Sequence, residues 1–180
     1  MRGIGWGTIF GVVSHRQVNC PPCFVTNFIE VEVDTLTGRI RPTRAVAAVD
    51  AGTVINPDLA AGQLEGGLCR GIGLALLEDT DYDPQTGELS CAGFLTDYKM
   101  FTAQDMPPLE DVSTFFANTY EPSGPFGAKG IGEAANNATA GGVANAIAGH
   151  PADTVFVADC APVAVDAFVF VHGRARRQRQ

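Results

Sequence analysis

One segment of the chain carries a helical pattern that its own glycines oppose. Between Leu59 and Glu78, apolar residues recur at the four-residue steps of one helix face: Ala60, Leu64, Leu68, Ile72 and Leu76. The same segment contains five glycines: Gly62, Gly66, Gly67, Gly71 and Gly73. Each glycine costs a helix about 1 kcal/mol relative to alanine, so an isolated helix loses roughly 5 kcal/mol. The helix therefore needs tight packing against a neighbouring element, or a ligand that approaches its backbone closely.

The segment before this helix predicts a β-hairpin. Apolar and acidic residues alternate from Phe28 to Asp34, which is typical of a strand with one solvated face. A turn follows, and a second strand-like run reaches Asp50, so residues 24–50 are predicted to form two paired strands. The end of that run, 45–49, is small and apolar throughout, which predicts burial on both faces.

The rest of the chain predicts further strands and an alanine-rich helix after Glu133. Strands are expected within 91–100, at 112–116 and in the apolar segments of 153–171, and a hairpin is expected around 84–87. This order predicts an α+β fold, a mixed sheet with helices packed on it. We expect residues 1–172 to belong to one domain and 173–180 to form a disordered basic tail.

The charge and hydropathy of the chain exclude some function classes. Hydrophobic residues make up 46% of the sequence and charged residues 18%, which indicates a folded protein with much covered surface. The net charge of −8 argues against a nucleic-acid partner, because phosphate binding requires a basic face. There is no run of about 18 apolar residues, so we expect no transmembrane helix. Glycines interrupt the apolar start and no cleavage site follows, so we expect a cytoplasmic protein.

The Cys-Pro-Pro-Cys motif at 20–23 suggests redox chemistry only weakly. A thioredoxin-type motif places its first cysteine at a helix N-terminus, which lowers the pKa of the thiol. The residues that follow Cys23 have the pattern of a strand instead. A zinc site would need a second ligand pair, and the three histidines do not supply one at the required spacing. We interpret the motif as a rigid loop with incidental thiols.

Glu133 follows a Gly130-Ile131-Gly132 turn and precedes the alanine-rich helix. The turn can present several backbone N–H groups to an anion, and a carboxylate in a low-dielectric pocket can act as a base near neutral pH. The alternative is structural, because the helix dipole favours an acidic residue in the first turn. The local pattern by itself favours this structural alternative.

Longer motifs favour the catalytic interpretation of Glu133 over the structural one. The segment VEVDTLTGRIRPTRAVAAVDAGTVINPDLAAGQLEGGLCRGIGLALLE, at 31–78, resembles part of the molybdenum-binding subunit of the xanthine dehydrogenase and aldehyde oxidase family, near its C-terminus. GFLTDYKMFTAQDMPPLE, at 93–110, resembles the next stretch of that pattern, and GPFGAKGIGEAANNATAGGVANAIA, at 124–148, resembles the family's closing active-site loop and helix. Three long motifs in the family's order are specific, whereas one Gly-x-Gly-Glu would be weak.

The resemblance implies a component of a molybdenum hydroxylase and a second molybdopterin-binding domain as its fold. Such enzymes oxidatively hydroxylate a heteroaromatic or aldehyde carbon of a small-molecule substrate, with water as the oxygen source. Their molybdenum is held by molybdopterin, in bacteria often the cytosine dinucleotide form, and not by side chains. The expected partners are the remaining molybdenum-subunit chain and subunits that carry iron–sulfur clusters and FAD. Without these partners we expect the chain to be inactive.

The resemblance also assigns roles to individual residues. Glu133 aligns with the family's catalytic base, and Gln63 with the glutamine that hydrogen-bonds the cofactor. Lys129, Gly130, Ile131 and Gly132 align with the turn whose backbone approaches the cofactor. Many family members have a proline pair after the glutamate, whereas this chain has Ala-Ala-Asn-Asn at 134–137. No substrate is therefore inferred, and a non-catalytic remnant or interaction module that keeps the fold is the alternative hypothesis.

Overall fold

The computed structural model describes residues 11, 12, 14, 19–34, 36–80, 82–89, 96 and 98–148. The described regular elements are three strands and two helices: β1 (Phe24–Val33), β2 (Ile40–Asp50), α1 (Pro57–Leu76), β3 (Val112–Phe116) and α2 (Ala134–Ala148). Short 3₁₀ turns at Leu109–Asp111 and Pro125–Gly127 precede β3 and the loop to α2. The tail at 173–180, the segments within 153–171 and most of 91–100 lie outside the described residues.

The three strands form a mixed sheet in the order β1-β2-β3. β1 and β2 are antiparallel, with Ile29 opposite Ala45 and an irregularity between Glu30 and Val31. β3 lies parallel to β2 on its other side. The helices pack against the sheet and against each other, α2 mainly over β1 and α1 over β2 and β3. The predicted hairpin, the strand at 112–116 and the α+β mixed sheet with packed helices are thereby confirmed.

Alternation along the hairpin places the core on one face of the sheet. The buried apolar core includes side chains of β1, β2 and both helices: Val25, Ile29, Val31, Ala45, Ala47, Val49, Leu64, Leu68, Ile72, Ala138 and Val143. Val46 and Ala48 point to the opposite face and are only half-buried. The prediction that 45–49 is buried on both faces is therefore wrong, because the described helices cover one face only.

Helix α1 begins two residues earlier than its apolar pattern predicts. The side chain of Asn56 accepts a hydrogen bond from the backbone N–H of Leu59, and Pro57 occupies the first helical turn. Both are favourable N-terminal signals, because the amide oxygen satisfies a donor that has no helical partner. The predicted turn at 84–87 is also present, since Tyr82 pairs with Leu89 across it. None of the described helices is both long and apolar enough to cross a membrane.

Close packing explains three of the five glycines in α1. A Cβ added to Gly67 would lie 2.8 Å from the Cβ of Ala135, and one added to Gly71 would lie 2.4 Å from the Cβ of Thr139. Gly73 similarly faces Phe101. Apart from their chain neighbours and the backbone of α1 itself, no atom lies within 4 Å of the Cβ position of Gly62 or Gly66. Tight packing of α1 on α2 is thus the stabilisation that the glycine-rich helix requires.

We expect Gly71→Ala to destabilise the chain and Gly66→Ala to stabilise it. Alanine favours the helix at both sites by up to about 1 kcal/mol, but at Gly71 the methyl group would overlap Thr139. Overpacking of this kind costs about 1–3 kcal/mol. Denaturant unfolding of the full chain measures both changes. Equal shifts of the two midpoints would show that the helices do not meet at Gly71.

Candidate functional site

The loop that leads to Glu133 is attached to the end of β2 by backbone hydrogen bonds. The N–H of Thr53 donates to the carbonyl of Gly127 at 2.8 Å, and the N–H of Lys129 donates to the carbonyl of Ala51 at 2.8 Å. Gly52 between them has a φ of +63°, and an added Cβ would lie 2.3 Å from the carbonyl oxygen of Gly127. A side chain at this position would therefore separate the loop from the sheet.

Lys129 contributes a largely buried cation that is paired within the chain. Its Nζ lies 2.6 Å from Asp50 Oδ2, and the two side chains are 9% and 20% exposed. The same Nζ donates to the carbonyl of Pro22 at 3.2 Å and lies 5.7 Å from the ring centroid of Phe24. The ammonium group thus fixes the loop to the sheet, and Lys129 is among the residues that line the cavity described below.

Asp50 is the acidic partner of this network and was not singled out by the sequence. Besides Lys129, it accepts hydrogen bonds from the hydroxyl of Thr119 and the N–H of Gly52. The hydrogen bond from Lys129, followed by that from Thr119, lowers the pKa of the Asp50 carboxyl below its usual value. In the sequence, Asp50 is marked only by its position at the end of a strand, before Ala51 and Gly52. This position does not identify Lys129 as its partner.

Gln63 connects α1 to the glycine turn. Its Nε2 donates to the carbonyl oxygen of Gly132 at 2.7 Å. Beside this contact lies a cavity of about 400 Å³. Its lining includes side-chain and backbone polar groups and apolar side chains: Thr53, Asn56, Leu59, Gln63, Ile131 and Gly132. Apart from the adjoining residues of the chain, no atom lies within 4 Å of the Cβ positions of Gly130 and Gly132, so the turn has open space on that side.

Glu133 lies immediately before α2, at the position that both interpretations of the sequence require. One carboxylate oxygen, Oε1, lies 3.4 Å from Arg70 Nη1, and the other accepts a hydrogen bond from Asn136 Nδ2 at 3.3 Å. The Glu133 side chain is 65% exposed. The structure therefore brings Gln63, Gly132 and Glu133 together, and it adds Arg70 and Asn136, which the motif analysis had not assigned.

A buried polar cluster fixes the start of α2 on the sheet. Asn27 of β1 is fully buried, and its Nδ2 donates to the carbonyl of Ala135 at 2.6 Å and to Thr139 Oγ1 at 2.8 Å. The hydroxyl of Thr139 in turn donates to the carbonyl of Ala135. A polar residue within a strand pattern was the only sequence sign of Asn27. This cluster sets where the chain enters α2, directly after Glu133.

The cysteines of the Cys-Pro-Pro-Cys motif are both free thiols. Cys23 donates to the carbonyl of Asp50, and burial raises the pKa of its thiol. A thioredoxin-type motif places its first cysteine at a helix N-terminus, whereas strand β1 begins directly after Cys23, which supports a structural loop. Within the part of the chain that the structure describes, no three His, Cys, Asp or Glu side chains are grouped as a metal site.

Comparison with known proteins identifies the family. Residues 12–107 match the family model described as a molybdopterin cofactor-binding domain. The chain is 36% identical over 149 residues to the probable hypoxanthine oxidase XdhD of Escherichia coli K12, covering 81% of this chain and 15% of that protein. It is 35% identical over 141 residues to the xanthine dehydrogenase molybdenum-binding subunit of E. coli O157:H7, covering 78% and 18%.

A solved structure agrees with these matches. Quinoline 2-oxidoreductase from Pseudomonas putida 86 superposes with a TM-score of 0.54 at 38% identity, covering 60% of this chain and 13% of that one. The chain thus spans less than a fifth of the length of the relatives it matches. The matches confirm the resemblance, and the chain belongs to the xanthine dehydrogenase and aldehyde oxidase family of molybdenum hydroxylases, as part of the molybdopterin-binding region of the molybdenum subunit.

Proposed function

We propose that this chain supplies the general base Glu133 and part of the cofactor pocket to a molybdenum hydroxylase. The observation that carries the proposal is the contact between Gln63 Nε2 and the Gly132 carbonyl, which joins α1 to the residue before Glu133. The reaction would be oxidative hydroxylation of a heteroaromatic or aldehyde carbon, with water as the oxygen source. We place the enzyme in the cytoplasm.

The residues present fit a molybdopterin. The cavity of about 400 Å³ is lined by the polar residues Thr53, Asn56 and Gln63 and by Gly132 of the glycine turn. An organic cofactor with many donors and acceptors needs such a polar lining, because each of its buried polar atoms requires a partner. In this proposal Gln63, Ile131 and Gly132 border the group directly, and Gly130 leaves space for it. We propose the cytosine dinucleotide as its form.

Lys129 has a different role in this arrangement. Its ammonium group already binds the carboxylate of Asp50, so we assign the backbone of Lys129, and not its charge, to the cofactor side of the loop. The backbone hydrogen bond from Lys129 to Ala51 holds the loop in register with β2. A contact between the backbone of Lys129 and the cofactor would then depend on how this hydrogen bond places the loop.

The bound cofactor would supply a metal centre that accepts two electrons from the substrate. Glu133 would accept, at a carboxylate oxygen, the proton of the water-derived oxygen nucleophile. A base must come within about 3 Å of the proton donor to do this. Two observations support this role: Glu133 directly follows Gly132 of the cavity lining, and its side chain is 65% exposed and thus accessible to a donor. Gln63 would orient the cofactor through the part of its amide that does not bind Gly132.

Exposed apolar side chains support the need for partner chains. In the described part of the chain, Phe126 is 84% exposed, Leu109 76% and Leu59 73%. Phe126 also has a φ of 56°, a strained conformation for a non-glycine residue. We propose that the remaining molybdenum-subunit chain covers these side chains, and that iron–sulfur and FAD subunits complete the electron path. Exposed apolar groups near a site commonly mark such interfaces.

Cofactor analysis of the assembled complex tests the proposal. We expect the chain, co-expressed with the products of neighbouring genes, to purify with molybdenum and with cytidylate released from the pterin. Gln63→Ala should lower the affinity for the cofactor about 10-fold, the equivalent of one hydrogen bond, whereas Gln85→Ala, in an exposed turn, should not. Absence of molybdenum from every co-expressed complex would support the alternative, a non-catalytic remnant that keeps the fold.

A further inference from the structure

One face of helix α1 contacts the start of α2. Gln63, Gly67 and Arg70 are spaced by four and three residues, so they lie on one side of the helix. Gln63 binds the carbonyl of Gly132, and Gly67 packs against Ala135. Arg70 extends to the carboxylate of Glu133, which lies between Gly132 and Ala135 in the sequence. One face of α1 therefore contacts the whole segment that carries the proposed base.

Each carboxylate oxygen of Glu133 has a partner. Arg70 of α1 lies 3.4 Å from Oε1, and Asn136 of α2 donates to Oε2 at 3.3 Å. The two donors belong to different helices, and those helices are held at short distance by Gly67 and Gly71. A carboxylate that has a partner on each oxygen has less freedom to rotate than one that is held at a single oxygen.

The side-chain amide of Asn136 is oriented with its nitrogen toward Glu133. Its Oδ1 is buried and has no hydrogen-bond partner. Reversing the amide would direct Oδ1 at the carboxylate of Glu133, and two acceptors would then face each other. The observed orientation leaves one acceptor unpaired, which is unfavourable, and gains a donor to Glu133. Asn136 belongs to the Ala-Ala-Asn-Asn segment in which this chain departs from its family.

We infer that Arg70 and Asn136 are positioning residues that hold the carboxylate of Glu133 in one orientation between α1 and α2. This inference rests on the proposed role of Glu133 as the base. The Arg70 and Glu133 side chains are 67% and 65% exposed, and exposed ion pairs contribute little to folding stability. Loss of the Arg70 contact should consequently change the reaction rate far more than the stability of the fold.

The test uses the assembled complex with Arg70→Met, Asn136→Leu and the conservative Arg70→Lys. Misplacement of a reacting group by about 1 Å can cost 10²-fold in rate, so we expect kcat to fall by about 10- to 100-fold for Arg70→Met and Asn136→Leu. KM and molybdenum content should stay within two-fold of the wild type. Arg70→Lys keeps the charge and should recover most of the rate. Arg41→Met, an exposed arginine on β2, is the matched control.

A crystal structure of the Arg70→Met complex gives a second readout. We expect the Glu133 side chain to occupy more than one conformation there and a single conformation in the wild type. Wild-type kcat in both Arg70→Met and Asn136→Leu, or a single unchanged conformation of Glu133, would overturn the inference. The proposed function fails separately, if Glu133→Gln itself retains turnover.

Discussion

Replacement of Glu133 by glutamine is expected to lower turnover of the assembled complex by roughly 10²- to 10⁴-fold, the usual contribution of a general base. Glutamine has nearly the same shape and can keep a hydrogen bond to Arg70, but its amide cannot accept the proton of the oxygen nucleophile. Molybdenum and pterin content should stay normal, because Gln63 and the glycine turn are unchanged. Steady-state kinetics with a heteroaromatic or aldehyde substrate, together with metal analysis, measures both quantities.

Glu110→Gln provides the matched control for this change. Glu110 is exposed in the 3₁₀ turn before β3, and its replacement removes the same charge from the chain. A general effect of net charge would lower turnover equally in both variants. Full turnover in Glu133→Gln would contradict the assignment of the base, whatever the cofactor content. Loss of molybdenum from Glu133→Gln would instead indicate that the residue helps to form the pocket.

The elements of the fold were predictable from local sequence patterns. Alternation along 28–34 predicted a strand, and four-residue steps from Ala60 to Leu76 predicted a helix, because these spacings follow from backbone geometry alone. The predicted start of α1, Leu59, lies two residues after the observed start, Pro57, although Asn56 and Pro57 are standard N-terminal signals. Local physics thus determines which elements form, and their ends depend on capping.

The arrangement of the elements was less accessible to local patterns. β3 pairs with β2 although Ala45 and Val112 are far apart in the sequence, and no periodicity records such a pairing. The glycines of α1 illustrate the same point. The sequence showed that α1 needs tight packing or a close ligand, and only the structure identifies Ala135 and Thr139 as the side chains that Gly67 and Gly71 admit.

Some residues of the candidate site are identified by sequence motifs, and others are identified only by the structure. Glu133 and Gln63 were identified by family motifs, and the structure brings their segments into contact. Periodicity alone predicts that Glu133 is an ordinary acid at a helix start, since that role and catalysis require the same position. Arg70 and Asp50 were missed because their partners lie 63 and 79 residues away along the chain. A side chain that acts through distant contacts has no local signature.

Removing the carboxylate of Asp50 is expected to destabilise the chain by about 3 kcal/mol at pH 7. Asp50→Ala would leave the ammonium group of Lys129, which is only 9% exposed, without its acidic partner. Breaking a buried pair costs about 3–5 kcal/mol, whereas breaking an exposed one costs about 1 kcal/mol or less. This pair is largely buried and lies nearer the first case. Denaturant unfolding of the full chain at pH 7 measures the loss.

The pH dependence of this loss has a definite sign. The hydrogen bond from Lys129 lowers the pKa of Asp50 in the folded chain, so the unfolded chain binds a proton more readily. The stabilisation is therefore complete above the ordinary aspartate pKa of about 3.9 and is lost as the pH falls through the lower folded value. The difference in unfolding free energy between the wild type and Asp50→Asn should be largest near pH 7 and smaller at pH 3.

A double replacement separates the pair from its surroundings. In Asp50→Leu with Lys129→Met no buried charge remains unpaired, so this variant should be more stable than either single variant. Its loop is still held by the backbone hydrogen bonds from Thr53 and Lys129, which involve no charge. If the two single losses simply added in the double variant, Lys129 and Asp50 would not be coupled. The anchoring of the Glu133 loop would then rest on its backbone contacts with the end of β2.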